Sequence, residues 1–158
     1  MPSERNLRLA AGVLAILGIG VATYITIADS GGGAPKCLVG GGGCETVAQS
    51  SYSHLVGINV AVIGIAGYVA LLAAALTRGD VGRFGGLLAA LIGFGFSAYL
   101  TYLELFVIDA ICQWCVASAV LMTLSLGVAA ARAFVYAGAE LAAGPSPPGQ
   151  GRLGSQRG

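Results

Sequence analysis

The chain has 158 residues, of which 56% are hydrophobic and 9% charged, with a mean hydropathy of +0.84 and a formal net charge of +1. Soluble domains carry about 25% charged residues, so too few polar side chains are present to cover a water-facing exterior, which argues against a buried bundle from a soluble protein. The net charge by itself says nothing about nucleic-acid or acidic partners, and no nucleic-acid partner is expected.

Residues 1–8 read as a short polar, basic lead. Charge-free runs follow at 9–28, at 46–77 apart from His54, at 84–103 and at 110–131. A spanning helix needs about 20 apolar residues at roughly 1.5 Å rise each. Four spans fit, at 9–27, 58–76, 84–105 and 111–131. The predicted fold class is an all-α integral membrane protein, a four-transmembrane-helix bundle. The first run is longer than the apolar core of a secretory signal, and Thr23–Ile27 offers no small-residue cleavage site.

A glycine-rich loop, Ser30–Cys44, follows span one; each glycine costs about 1 kcal/mol in a helix. Residues 45–56 have no strong helix breaker and read as a short interfacial helix entering span two at Gly57. The link Thr77–Arg83 is short, so spans two and three are antiparallel neighbours. The link at 106–110 is tighter still and centres on Asp109. Residues 9–135 thus form one membrane domain. Residues 136–158, with Gly144-Pro-Ser-Pro-Pro-Gly-Gln-Gly151, read as a flexible tail.

Lysine and arginine bias sets the orientation. Arg5, Arg8, Arg78, Arg83, Arg132, Arg152 and Arg157 fall on one side of the four spans and only Lys36 on the other. The arginine-rich side, with both termini, is predicted to be cytoplasmic. All four cysteines then face the periplasm or exterior.

Such a location is oxidising and allows disulfides to persist. Cys112-Gln-Trp-Cys115 lies at the start of span four. At i and i+3 its thiols share a helix face, and a bridge between them closes too small a ring to staple a fold. A helix N-terminus favours a thiolate, which suits a redox couple. Cys37 and Cys44 are separated by Leu38-Val39 and four glycines. That spacing permits a bridge without proving one. A mobile dithiol beside a fixed one is the layout for relayed thiol–disulfide exchange. Three rival readings remain at this point: a non-catalytic scaffold with structural disulfides, a thiol metal site, and a transporter. The last is disfavoured because the spans carry an ionisable group only at Glu104, near an outer end. No metal is expected. His54 reads as a polar boundary residue.

Taken together, the motifs resemble the vitamin K epoxide reductase family in its bacterial form. They are Cys37…Cys44, Ser50-Ser51-Tyr52, Gly57, Gly64, Tyr68, Tyr99-Leu100, Glu104-Leu105-Phe106 and Cys112-Gln-Trp-Cys115, in that order. The likeness covers about residues 8–135. A second four-helix disulfide-generating oxidase, the DsbB type, carries its two cysteine pairs in the opposite order. The resemblance implies a bundle around a quinone, ubiquinone or menaquinone, with Cys112 and Cys115 as the active couple. It implies that Cys37 and Cys44 take electrons from a thioredoxin-like partner. No such domain is fused here, so a separate periplasmic protein is expected to serve. The expected function is a quinone-dependent thiol oxidoreductase that supports disulfide formation in a bacterial inner membrane, in contact with lipid and the quinone pool.

Two departures bear on the quinone. Bacterial relatives often carry a proline where Asn59 stands, and the vertebrate polar positions align with Val60 and Ala119. Cys115 is expected beside the quinone, Asn59 is a candidate to hydrogen-bond one of its carbonyls, and Trp114 is a candidate to cover its ring or to anchor at the interface.

Overall fold

The computed structural model describes residues 3–38, 43–55 and 57–143. Helix α1 runs Glu4–Ser30, α2 Gly43–Ala48, α3 Val60–Leu76, α4 Asp80–Leu103 and α5 Gln113–Ala143, with two short strands, β1 His54–Leu55 and β2 Ile58–Asn59, before α3. Helix α4 continues into a π-helical turn, Glu104–Ile108.

The lead is helical from Glu4. Ser3 accepts the Asn6 N–H at 3.4 Å and Glu4 lies in the first turn, which satisfies an orphan donor and matches the helix dipole. Arg8 then donates to the Ala75 and Leu76 carbonyls at 3.0 and 2.9 Å, capping the end of α3.

The stretch expected as one interfacial helix at 45–56 is not one. Helix ends at Ala48, and the chain then turns into the hairpin, with His54 opposite Asn59 and Leu55 opposite Ile58. Serines at 50, 51 and 53 compete for backbone hydrogen bonds; Ser50 and Ser53 Oγ bond to the Val47 and Ser50 carbonyls. Gly57 takes a φ of +82°, which turns the strand back at no side-chain cost. Val56 lies outside the described residues. Asn59 caps α3 by accepting the Ala61 N–H at 2.7 Å.

At the other end of the domain, α5 starts at Gln113, so Cys112 precedes the helix. The segment expected to be flexible from residue 136 is helical through Ala143. Its alanine-rich sequence favours helix through Ala143; residues 144–158 lie outside the described part.

Four long helices pack in a ring, α1 on α3 and α5, and α4 on α3 and α5. The core is Ala15, Tyr68, Leu71, Ala90, Met122 and Ala129. Outward faces are apolar as well, with Val13, Ile16, Leu88, Ile92, Val120 and Leu124 exposed, as lipid contact requires. Three segments, Glu4–Ser30, Asp80–Ile108 and Gln113–Val135, are long and apolar enough to cross a membrane; α3, with 17 residues, is a shorter apolar helix. One end of the ring gathers Glu4 with Arg83 and Arg132 at 3.7 and 3.6 Å. The cysteines gather at the other.

Candidate functional site

Cys112 occupies the cap position of α5, and its carbonyl accepts the Val116 N–H at 3.0 Å. Its thiol is 2% exposed. A hydrogen bond from the Cys115 thiol lowers it to about 7, against the opposing effect of burial; the backbone N–H groups of Cys115 and Trp114 lower it further. These N–H groups are the orphan donors of a helix start, here aimed at sulfur. A substantial thiolate fraction near neutral pH follows, which favours both exchange and departure from a disulfide.

The loop pair is joined, Cys37 to Cys44, with the two Cα atoms 5.8 Å apart, while Cys112 and Cys115 are free thiols. This is the redox distribution in which the outer pair is oxidised and the inner pair reduced. Cys44, 1% exposed, lies in α2. That short helix sits against the turn before α5; a Cβ at Gly43 would collide with the Ile111 carbonyl. Backbone contact of this kind fixes the position of Cys44 next in sequence.

Cys44, Cys112, Cys115 and Asn59 line a common cleft of about 60 Å³. Cys37 is outside it and only half-buried. Its neighbours are held by the two residues between the inner cysteines. Trp114 Nε1 donates to the Lys36 carbonyl at 3.0 Å, and the Leu38 N–H donates to Gln113 Oε1 at 3.1 Å. The Trp114 ring also packs on Tyr24 of α1, with centroids 4.7 Å apart. Trp114 therefore clamps the loop and lines neither this cleft nor the larger cavity below it.

That larger cavity, about 390 Å³, lies among all four long helices. Its walls include Ile92, Phe96, Leu100 and Met122, with Tyr68 and Ser118 as polar members. Tyr68 donates to the Ser118 carbonyl at 2.8 Å. Cys115 lines both spaces, cleft and cavity. Asn59 lines only the cleft. Besides capping α3, its Nδ2 donates to Asp29 Oδ2 at 2.7 Å. The same carboxylate is 3.6 Å from His54 Nε2, and Ser53 Oγ is 2.9 Å from His54 Nδ1. Asn59 and His54 thus tie the hairpin to the end of α1.

The sequence alone assigns no site role to Glu104. It is 5% exposed and accepts the Cys112 N–H at 3.1 Å through Oε2. The available signal was its presence at all, as the only carboxylate within an apolar run and eight residues before Cys112.

A cofactor for this site must be apolar, redox-active and roughly the size of an aromatic ring system. A quinone fits: ligand cavities run about 300–1,000 Å³ with apolar walls and a few polar groups, and this cavity has that size and lining beside a free thiol. Among the described residues, no three His, Cys, Asp or Glu side chains form a metal-binding group. Residues 9–130 match the model of the vitamin K epoxide reductase family. A membrane bundle with one joined and one free cysteine pair accords with that match, and the chain belongs to the vitamin K epoxide reductase family, whose members are membrane oxidoreductases acting on thiols.

Proposed function

We propose that the protein is a quinone-dependent thiol oxidase that crosses a bacterial inner membrane four times. The observation that carries this reading is the position of Cys115. It borders the outer cleft with Cys44 and Cys112 on one side and the apolar cavity on the other.

In this reading α3 is the fourth span; its 17 residues extend about 25 Å, and the hairpin completes the crossing at the interface. The arginine-rich end faces the cytoplasm with both termini, and the cysteines face the periplasm. A separate thioredoxin-like protein, reduced, attacks Cys37, whose side is the more accessible. Cys44 leaves as a thiolate and attacks Cys112 in the oxidised Cys112–Cys115 pair, freeing Cys115. Resolution of the Cys44–Cys112 bond by Cys37, once the partner has left oxidised, restores the loop disulfide and leaves both inner thiols reduced. The distribution Cys37–Cys44 joined and Cys112, Cys115 free corresponds to the end of that sequence.

The quinone supplies a two-electron acceptor. Phe96, Leu100 and Met122 would hold its ring, with Tyr68 and Ser118 as polar neighbours, and α1 adds Ala22 and Ile25 to the wall. Asn59 Nδ2 keeps one further N–H for a carbonyl, although its other bonds favour a role in the hairpin. Ubiquinone and menaquinone both match the cavity chemistry.

The test uses purified full-length protein in lipid nanodiscs with a reduced thioredoxin-like protein and either quinone. Quinol formation coupled to partner oxidation is expected. Its absence with both quinones rejects the reading in favour of a scaffold with a structural disulfide. Orientation is checked with a membrane-impermeant thiol reagent on cells, which should label the reduced cysteines without membrane rupture.

A further inference from the structure

Glu104 takes no part in the thiol relay, yet it touches every compartment of the site. It opens the π-helical turn Glu104–Ile108, a geometry frequent at functional sites. It borders the outer cleft, the large cavity and a third, open depression lined by Gly43, Thr46, Asp109 and Ala110. Its Oε2 accepts the Cys112 N–H at 3.1 Å, and its carboxyl lies within hydrogen-bonding reach of the Cys115 thiol. Among the described residues, no Lys, Arg or His forms an ion pair with it. Accepting one backbone N–H requires only an amide oxygen. A carboxylate buried without a cation is the costlier choice, and the one property that it adds is the ability to take and release a proton.

From this geometry we propose that Glu104 carries protons between the inner thiols and the electron acceptor in the cavity. The proposal rests on the quinone reading above. Closing the Cys112–Cys115 disulfide gives up two electrons and two protons, the numbers that reduction of a quinone to its hydroquinone consumes. Glu104 accepts the proton of Cys115 as the sulfur–sulfur bond forms and releases it into the cavity, returning to the carboxylate. The Cys112 proton leaves to outward water. An equivalent proton enters through the same carboxyl from the depression beside Asp109. Among the described residues, the titratable groups lining these spaces are Cys112 and Cys115, Asp29 from α1, Tyr52 before the hairpin, Tyr68 from α3, and Asp109, with Cys44 joining them only when the loop disulfide is open.

Glu104→Gln keeps an oxygen for the Cys112 N–H and holds no proton. In full-length protein in nanodiscs with the inner pair reduced, a water-soluble benzoquinone is mixed in and one turnover followed. The expected slowing is about 10²-fold or more, the usual worth of a positioned proton-transfer group, with partial recovery in Glu104→Asp. Formation of the Cys44–Cys112 bond should be unchanged, which shows that the site is intact. A second readout needs neither variant nor quinone. The infrared difference spectrum between the reduced inner pair and the pair oxidised by diamide should carry a carboxyl band assignable by labelled glutamate. A wild-type rate in Glu104→Gln, or no glutamate band in the wild type, overturns the proposal. A glutamate band in a protein that reduces no quinone sustains proton exchange with Cys115 and overturns only the identity of the acceptor.

Discussion

Cys37 and Cys44 are spaced seven apart on a segment held to the bundle by a few contacts, whereas Cys112 and Cys115 begin a 31-residue helix. Among the described residues, the contacts of the outer segment include hydrogen bonds to Gln113 and Trp114 and the approach of Gly43 to Ile111. The inner pair is placed by the helix start, and Cys112 is further held by Glu104 and by burial. Cys37 is the half-exposed member of the first region, while Cys44 is held against the second. The proposed relay uses this difference, with Cys37 offered to a partner and the inner pair kept at the start of a long helix.

The comparison is tested most severely by removing sulfurs. Cys112→Ser and Cys115→Ser are expected to lower quinone reduction to the uncatalysed background with any dithiol donor. Cys37→Ser and Cys44→Ser should abolish turnover with the thioredoxin-like protein yet leave measurable turnover with a small dithiol that reaches Cys112. If the loop variants oxidise the protein partner at the wild-type rate, the two pairs do not act in series.

Division of labour within the loop is the next point of attack. Cys44 shares a cleft with Cys112, and Cys37 does not. With Cys37→Ser and Cys115→Ser combined, mild oxidation should join Cys44 to Cys112. The combination of Cys44→Ser and Cys115→Ser should join Cys37 to Cys112 at least about tenfold more slowly, since a tenfold rate difference needs only about 1.4 kcal/mol of loop rearrangement. Non-reducing gels with peptide mapping read both products, and a reversed preference would invert the order of the relay.

The fixed pair can be probed through its acidity. The Cys112 thiol stands at about 7, chiefly through the hydrogen bond from Cys115. That bond favours the thiolate, so Cys115→Ala should raise the value toward the ordinary thiol range of about 8.5. The variant should be alkylated by a small reagent more slowly at neutral pH, and the gap should close at pH above the raised value. Equal pH profiles would mean that helix-start N–H groups alone set the acidity.

The smallest expected effect concerns the tether. Trp114→Phe removes the bond to the Lys36 carbonyl and keeps a ring against Tyr24. A net hydrogen bond is worth about 1 kcal/mol, so the loop should loosen by roughly fivefold in hydrogen exchange. Amide exchange around 36–38 measures this directly. No change there would assign the hold on the loop to Gln113 and Gly43.

Much of this was legible in the chain because it depends on local rules. Apolar runs of spanning length follow from composition, and the side on which arginines collect follows from counting. The role of Cys-Gln-Trp-Cys as a poor staple follows from i, i+3 spacing. Local pattern predicts a helix over 45–56 where the structure has one over 43–48, because the competing serine bonds and the turn at Gly57 form only as the strand finds its partner. Asn59 bonds to Asp29 and to the Ala61 N–H, which joins residues from two helices and a hairpin, an arrangement with no trace in spacing. Glu104 shows the same limit.

The sequence by itself thus determined that the protein is apolar and helical, that its cysteines occur in two pairs, and which family it resembles, because these rest on composition, period and motif order. Only the tertiary structure decided that Cys44 faces Cys112 while Cys37 stays outside, that Trp114 holds the loop, and that Cys115 and Glu104 both border the cleft and the cavity. Those placements depend on the ring formed by α1, α3, α4 and α5, since groups as far apart in sequence as Trp114 and the Lys36 carbonyl, 78 positions, meet only when all four long helices have packed.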